Sequence, residues 1–345
     1  TAVTAVLDHP WGLAFLPEQA FLVTERSGQL LLIDAAGNKT SVSGLPPIRV
    51  GGQGGLLDVA LHPNFESNRW VYLSYAMQGD EGLTGTAVGR GRLQGTQLTD
   101  WQTLFQMEQL TRKGHHFGSR LVFDQAGYLF ITLGDRGQRA RSQDLTDTAG
   151  SVIRLHEDGR IPADNPSFSQ ASIYSYGHRN IQGAALHPET GQLWTHEHGP
   201  QGGDEVNIIQ AGANYGWPVI TYGKEYGTGF DIGEGTQRPD IQAPIHQWTP
   251  SIAPSGMAFY TGDQFPQWRG DLLIGALKFQ LLVRLELEGN KVIKEHRLLQ
   301  QAVGRIRDVK QGPDGYIYLL SDASNGRLLR LLPHSALAES ALKKP

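Results

Sequence analysis

Short apolar runs alternate with polar turns along this chain, and one arrangement of the two recurs six times. An alternating apolar run enters a turn rich in Pro, Gly, Asp or Asn and leaves as a second alternating run. The copies are Leu13–Glu25, Val59–Tyr75, Leu121–Asp135, Ala184–Glu197, Met257–Lys278 and Asp308–Asp322. Period-two alternation places successive side chains on opposite faces of a strand. Segments such as Asp124-Gln125-Ala126-Gly127 and Pro313-Asp314-Gly315 supply the turns, so each copy predicts a β-hairpin. Six copies in 345 residues leave roughly 57 residues apiece, enough for four strands and their loops. The predicted fold is all-β: a six-bladed β-propeller of four-stranded antiparallel sheets, with residues 1–345 as one domain. A pair of β-sandwiches is the alternative, but radial repetition shields strand edges better. Helix is expected only in the tail, near Ser335–Lys344.

If the first strand of each hairpin lines the channel, the residues just before it and just after the second strand share one mouth. The first set holds Gln53, His116, Arg179, Asn180, Arg305 and Arg307. The second holds Glu25, Tyr75, Asp135, Glu197, His198, Lys278 and Asp322. One register thus gathers scattered ionisable residues on a single rim, which random surface polarity would not do.

Composition narrows what that rim can serve. Net charge is −4 with no Lys/Arg cluster, so nucleic acid is excluded as a partner. The absence of cysteine removes thiolate metal sites, thiol nucleophiles and disulfides. The most apolar stretch, Leu272 to Leu287, is broken by Lys278, Arg284 and Glu286, so no membrane span is expected. No signal peptide is present in the sequence, which starts at Thr1. Freedom from cysteine suits an exported bacterial protein, and a periplasmic or secreted location is the expectation.

Three constellations carry chemistry. His116 is a candidate general base, with Asp135 placed to fix its tautomer; the alternative is a structural turn histidine. Arg179, Lys278, Arg305 and Arg307 aim four cations at one mouth, which suits an anionic ligand with carboxylate or quinone oxygens. The alternative is solvated charge paired with residues such as Asp308. His196 and His198 have the spacing to ligate zinc from one strand face, but no third ligand is indicated. Asp204-Glu205 and the Asn214-Tyr215-Gly216-Trp217 turn offer hard oxygens suited to calcium, unless they are ordinary acidic turns.

These residues fall in motifs that resemble the soluble PQQ-dependent aldose sugar dehydrogenases of the glucose/sorbosone dehydrogenase family. The matching segments are HPWGLAFLP, GGQGGLLDVALHPNF, HHFGSRLVFD, LGDRG, DGRIPADNPSF, YGHRNIQG, EHGPQGGDEVN, NYGWPVITYG, GALK and RIRDV. The resemblance implies a six-bladed propeller that oxidises aldose sugars at C1 to the lactone, with PQQ and Ca²⁺ as cofactors. It implies His116 as the base, Asp135 as its partner and Arg179 as the residue stabilising charge on the quinone. Gln53, Arg179, Asn180, Tyr226, Lys278, Arg305 and Arg307 fall on positions that contact PQQ. The carbonyls of Gly199 and Pro200 match those that hold the PQQ-bound calcium. Glu205 and the Tyr215 backbone match a second, structural calcium site. His115 stands where the glucose dehydrogenase branch has an acidic residue, that branch's long loop insertions are missing, and its sugar-stacking tryptophan has only an offset counterpart, Trp248. An open site of broad sugar specificity is therefore expected, in a monomer that passes electrons to an unidentified acceptor.

Two other classes compete. A calcium-dependent lactonase propeller would converge several carboxylates on one ion, whereas this rim is dominated by Arg and Lys. A non-catalytic binding propeller would have lost His116 or the arginines, and all are present.

Overall fold

The computed structural model describes residues 1–333 and consists of six four-stranded antiparallel sheets. Their first strands are Pro10–Phe15, Leu56–Leu61, Leu121–Phe123, Ile181–Leu186, Pro254–Phe259 and Ile306–Gln311, and these pack against one another around the centre. The molecule is the expected six-bladed propeller, and all six predicted hairpins form the two inner strands of a blade. The tail expected to be helical lies outside the described residues. Among the described residues, no helix is long and apolar enough to cross a membrane.

Ring closure uses both ends of the described chain. The sixth sheet is built from Ile306–Gln311, Ile317–Ser321 and Gly326–Arg330, and its outermost strand is Ala2–Leu7. Between blades, aliphatic and aromatic residues interlock. One buried cluster runs from Leu22 and Leu30 to Val59, Val71 and Leu73, and another from Trp194 and Val206 to Met257, Ile274 and Val283.

The innermost strands are not regular. In five of the six, the ladder with the second strand slips near its start, between Pro10 and Leu13, Leu56 and Val59, Ile181 and Gly183, Pro254 and Met257, and Ile306 and Asp308. A bulge frees backbone N–H groups from the ladder, and hydroxyls on the second strand take several of them. Thr24 Oγ1 accepts from Gly12 N at 2.8 Å, Ser74 Oγ from Asp58 N at 2.9 Å, and in the third blade Thr132 Oγ1 accepts from Arg120 N at 2.9 Å. Ser74 Oγ then donates to Ser119 O of the next blade at 2.7 Å, and Ser255 Oγ to Ile306 O at 2.6 Å.

Three side chains from the starts of inner strands, Arg120, Asp58 and Asp308, meet at the centre. Arg120, 2 % exposed, lies between Asp58 (3.3 Å) and Asp308 (3.0 Å). It also donates to Gln182 O at 2.8 Å and Arg307 O at 3.1 Å, with its guanidinium 4.2 Å from the Trp11 ring. The facing strand must leave room: a Cβ on Gly256 would fall 2.1 Å from Asp308 Oδ1. This ionic plug forms a floor beneath one mouth of the channel.

Candidate active site

Above the floor, the loop before Leu121–Phe123 carries His116 in the left-handed region (φ 58°). Gln53 holds it there: its Oε1 accepts from His116 N at 2.9 Å, and its own N–H donates to Gly114 O at 2.7 Å. Arg136 supports the loop from beneath, 3.5 Å from the Phe117 ring, donating to Lys113 O and Thr84 Oγ1 at 2.7 and 2.9 Å and closely to His115 O.

His116 Nδ1 meets Asp135 Oδ1 at 2.6 Å. The same oxygen accepts from Gly137 N at 2.7 Å, and Oδ2 accepts from Trp217 Nε1 at 2.8 Å. Burial pushes the Asp135 carboxyl up, but the bonds from His116 and Gly137 and the charge of Arg179 outweigh it and hold it below the usual range. An ionised carboxylate only accepts, so the proton sits on Nδ1 and the Nε2 lone pair is free. Burial, aided by Arg179, outweighs Asp135 and brings the His116 pKa down to about 4. At neutral pH the ring is therefore uncharged and able to take a proton.

Beside the dyad are the cations. Arg179 Nη1 donates to His198 O at 3.0 Å and Gly199 O at 2.9 Å, while Glu197 Oε2 takes its backbone N–H. Arg305 and Arg307 share Asp322 Oδ2 at 3.2 and 2.9 Å, and Arg307 also reaches Gln182 Oε1 at 3.2 Å. Lys278 has no carboxylate partner among the described residues, and neither does Arg26, a cation outside the matching motif positions. Two cavities open onto this group. One of about 280 Å³ is lined by Trp11, Arg26, Gln53, Asn180, Lys278, Arg305 and Arg307. The adjoining one, about 590 Å³, shares Gln53, Asn180, His198 and Lys278 and adds His116, Arg179, Gly199, Pro200 and Tyr226.

All the residues expected to touch PQQ thus meet around two joined cavities. Their chemistry fits an anionic planar group: of the five cations only Arg305 and Arg307 have a carboxylate partner among the described residues, Asp322, and the Nε atoms of Arg179 and Arg307 are buried without a hydrogen bond. Two rim residues do not take part. Tyr75 is buried in the cluster between blades beside Trp101 (6.1 Å), because its strand runs on to Gln78; Glu25 turns to accept from Asp8 N at 2.7 Å.

The Gly199–Pro200 backbone is pinned by Asp204, which accepts from Gly199 N at 2.9 Å and from Ile252 N and Ala253 N at 2.8 and 3.0 Å. Both residues line the larger cavity. Gly199 O already accepts from Arg179, and Pro200 O accepts from Tyr226 OH at 2.7 Å. As hard oxygens each keeps a second lone pair, so they fit a calcium ion that shares or displaces these donors. Behind them, Glu205 pairs with Glu197 across two strands, at a void of about 10 Å³ bordered by Tyr215. Burial, and then Glu197, push the Glu205 carboxyl well up. A buried and a half-buried carboxyl at an ion-sized void fit a cation. Zinc on His196 and His198 gains no support: no cluster of three or more His, Cys, Asp or Glu placed for a metal exists among the described residues. His198 Nε2 is instead bonded to Pro254 O at 2.6 Å.

Trp248 does not stack in the site. It is 3 % exposed between the fourth and fifth blades, with Nε1 donating to Glu295 Oε2 at 2.9 Å. The tryptophan that does meet the dyad is Trp217, in the Asn214-Tyr215-Gly216-Trp217 turn that the sequence had offered only for its oxygens.

Residues 7–330 match the family model described as Glucose / Sorbosone dehydrogenase. Aldose sugar dehydrogenase YliI of Escherichia coli K12 is 48% identical over 339 residues, 95% of this chain and 91% of that protein. The crystal structure of the soluble aldose sugar dehydrogenase from Escherichia coli in the apo-form superposes with a TM-score of 0.93 at 47% identity, covering 96% of this chain and 98% of that one. The PQQ-bound aldose sugar dehydrogenase from Streptomyces coelicolor gives a TM-score of 0.81 at 30% identity, with 96% of each chain covered. The chain belongs to the glucose/sorbosone dehydrogenase family and is an oxidoreductase of the sugar dehydrogenase type.

Proposed function

We propose that this protein oxidises aldose sugars at C1 to the lactone with PQQ and calcium as cofactors, and that it accepts a broad range of aldoses. One observation carries the reading: Arg26, Lys278, Arg305 and Arg307 line one cavity and Arg179 and Lys278 the adjoining one, beside a neutral histidine, while among the described residues Asp322 pairs with Arg305 and Arg307 alone. The Streptomyces relative with PQQ bound supports the same cofactor.

What PQQ supplies when bound is a hydride acceptor, and calcium supplies Lewis acidity. The protein's share is orientation and proton handling. His116 Nε2 takes the proton of the anomeric hydroxyl, and Asp135 fixes the tautomer and stabilises the imidazolium that results. Arg179 offers positive charge where negative charge develops, while Gln53, Asn180, Tyr226, Lys278, Arg305 and Arg307 hold the anionic ligand. The Gly199 and Pro200 carbonyls would hold the calcium at the cofactor, and Glu205 with the Tyr215 carbonyl a second one. An exposed Tyr226 (65 %) at the mouth and the burial of Trp248 leave the sugar few shaped contacts, which favours breadth over selectivity.

The test is reconstitution. Purified protein mixed with PQQ and calcium should reduce a redox dye only when an aldose is added. Several aldoses should serve within about tenfold of one another in kcat/KM, because the hydrogen bond to a single sugar hydroxyl is worth about 1 kcal/mol. PQQ that binds but gives no sugar-dependent reduction would overturn the activity, and strong preference for one sugar would overturn the breadth.

A further inference from the structure

We propose that Trp217 is a positioning residue whose single indole holds both the His116–Asp135 dyad and the Arg179 guanidinium in place. This rests on the reading of His116 as the base. Trp217 is 6 % exposed, and its own backbone is fixed: its N–H donates to Gly177 O at 2.9 Å, and its carbonyl accepts from Gln143 Nε2 at 2.8 Å. From that anchored position Nε1–H donates to Asp135 Oδ2. The carboxylate torsion of an aspartate is soft. With His116 and Gly137 on one oxygen and Trp217 on the other, Asp135 has a donor at both ends and cannot swing away from the imidazole. The face of the same ring lies 5.3 Å from the Arg179 guanidinium, with Arg139 at 5.5 Å. Among the described residues Arg179 has no side-chain carboxylate in contact, its Nη1 bonding carbonyls, and the Trp217 indole face is the one aromatic ring beside its guanidinium. Proton acceptor and charge stabiliser are thereby held by one side chain, lying 82 residues from Asp135 in sequence.

Two substitutions separate the two roles. Trp217→Phe keeps an aromatic face but has no N–H; Trp217→Leu has neither. In cofactor-free protein carrying ¹⁵N-histidine, wild type should show His116 protonated at Nδ1 with a downfield, slowly exchanging proton. Trp217→Phe should broaden that signal and admit the Nε2–H tautomer. It should bind PQQ within about twofold of wild type, whereas Trp217→Leu should bind about 5- to 30-fold more weakly, the range of a partly desolvated cation–π contact. In the reconstituted enzyme Trp217→Phe should lower kcat about tenfold with sugar KM unchanged, a fraction of what a general base supplies. A wild-type histidine spectrum in Trp217→Phe, or equally weakened PQQ binding in both variants, overturns the proposal. Trp217→Phe alone decides the dyad arm, so a Trp217→Leu chain that fails to fold leaves the test intact. Turnover retained by His116→Ala would sink the base assignment while leaving the spectrum of the dyad as it is, so the two failures are distinct.

Discussion

The Arg179 guanidinium donates to the Gly199 carbonyl at 2.9 Å, so the oxygen proposed to bind calcium at the cofactor already carries a positive side chain. Calcium alone should therefore bind poorly at Gly199 and Pro200. Arg179→Gln should raise the affinity of cofactor-free protein for calcium there by about tenfold, the worth of one charge-assisted hydrogen bond. Terbium luminescence or equilibrium dialysis would show it, and Glu205→Gln marks the second site separately. Equal calcium binding with and without the guanidinium would remove the competition argued from this contact.

His116→Ala should lower sugar oxidation by about 10²- to 10⁴-fold, the usual share of a general base, with PQQ binding nearly unchanged. Dye reduction by the reconstituted variant measures the first and a cofactor titration the second. A variant with normal turnover would place the base elsewhere.

The pH dependence has a definite sign. Burial holds the folded His116 pKa at about 4, below its ordinary value of about 6.5, so the unfolded chain binds the proton more readily in between. Its neutral form contributes stability above pH 6.5 that is lost as pH falls toward 4, and activity should fall with its acid limb near the lower value. His116→Gln should flatten the change in melting temperature across that window. An acid limb centred at or above 6.5 would mean that the base is not held neutral by burial.

Arg120 sits between two buried carboxyls, and burial raises that of Asp308 despite the arginine's charge. Arg120→Met should cost about 3–5 kcal/mol in denaturant unfolding, since it leaves buried charge unpaired. Replacing Asp58 and Asp308 by Asn in the same chain should restore much of the stability. A mild effect of Arg120→Met alone would show that the floor is not held by charge.

Trp248→Ala should lower stability by about 3–5 kcal/mol through the cavity it leaves yet leave sugar KM within about twofold, since its ring lies in the seam between two blades. The paired readouts are urea unfolding and sugar kinetics on the same preparation. A large rise in sugar KM would return the residue to the substrate site.

The blades were readable because period-two runs around Pro- and Gly-containing turns have few other solutions, and the shared mouth followed from the hairpin's return. Tyr75 and Glu25 escaped that logic: the bulges near the start of the inner strands shift facing residues, and the second strand of the second blade runs three residues past Tyr75. The Arg120 plug and the Trp217 contact were hidden for a different reason. Arg120 meets Asp58 from 62 residues away, and no local spacing announces such a pair. Carbonyl ligands such as those of Gly199 and Pro200 leave no side-chain signature, so only the resemblance pointed to them.

The strand Ala2–Leu7 completes a sheet whose other members come from residues 306–330. During synthesis its neighbours are therefore the last described strands to be made, and the ring can shut only in one late event. A shortened chain lacking those first residues would present the bare edge of Gly326–Arg330 to the surroundings. Unpaired edges recruit strands from other molecules, so the expected fate of such a chain is self-association rather than a slightly looser monomer.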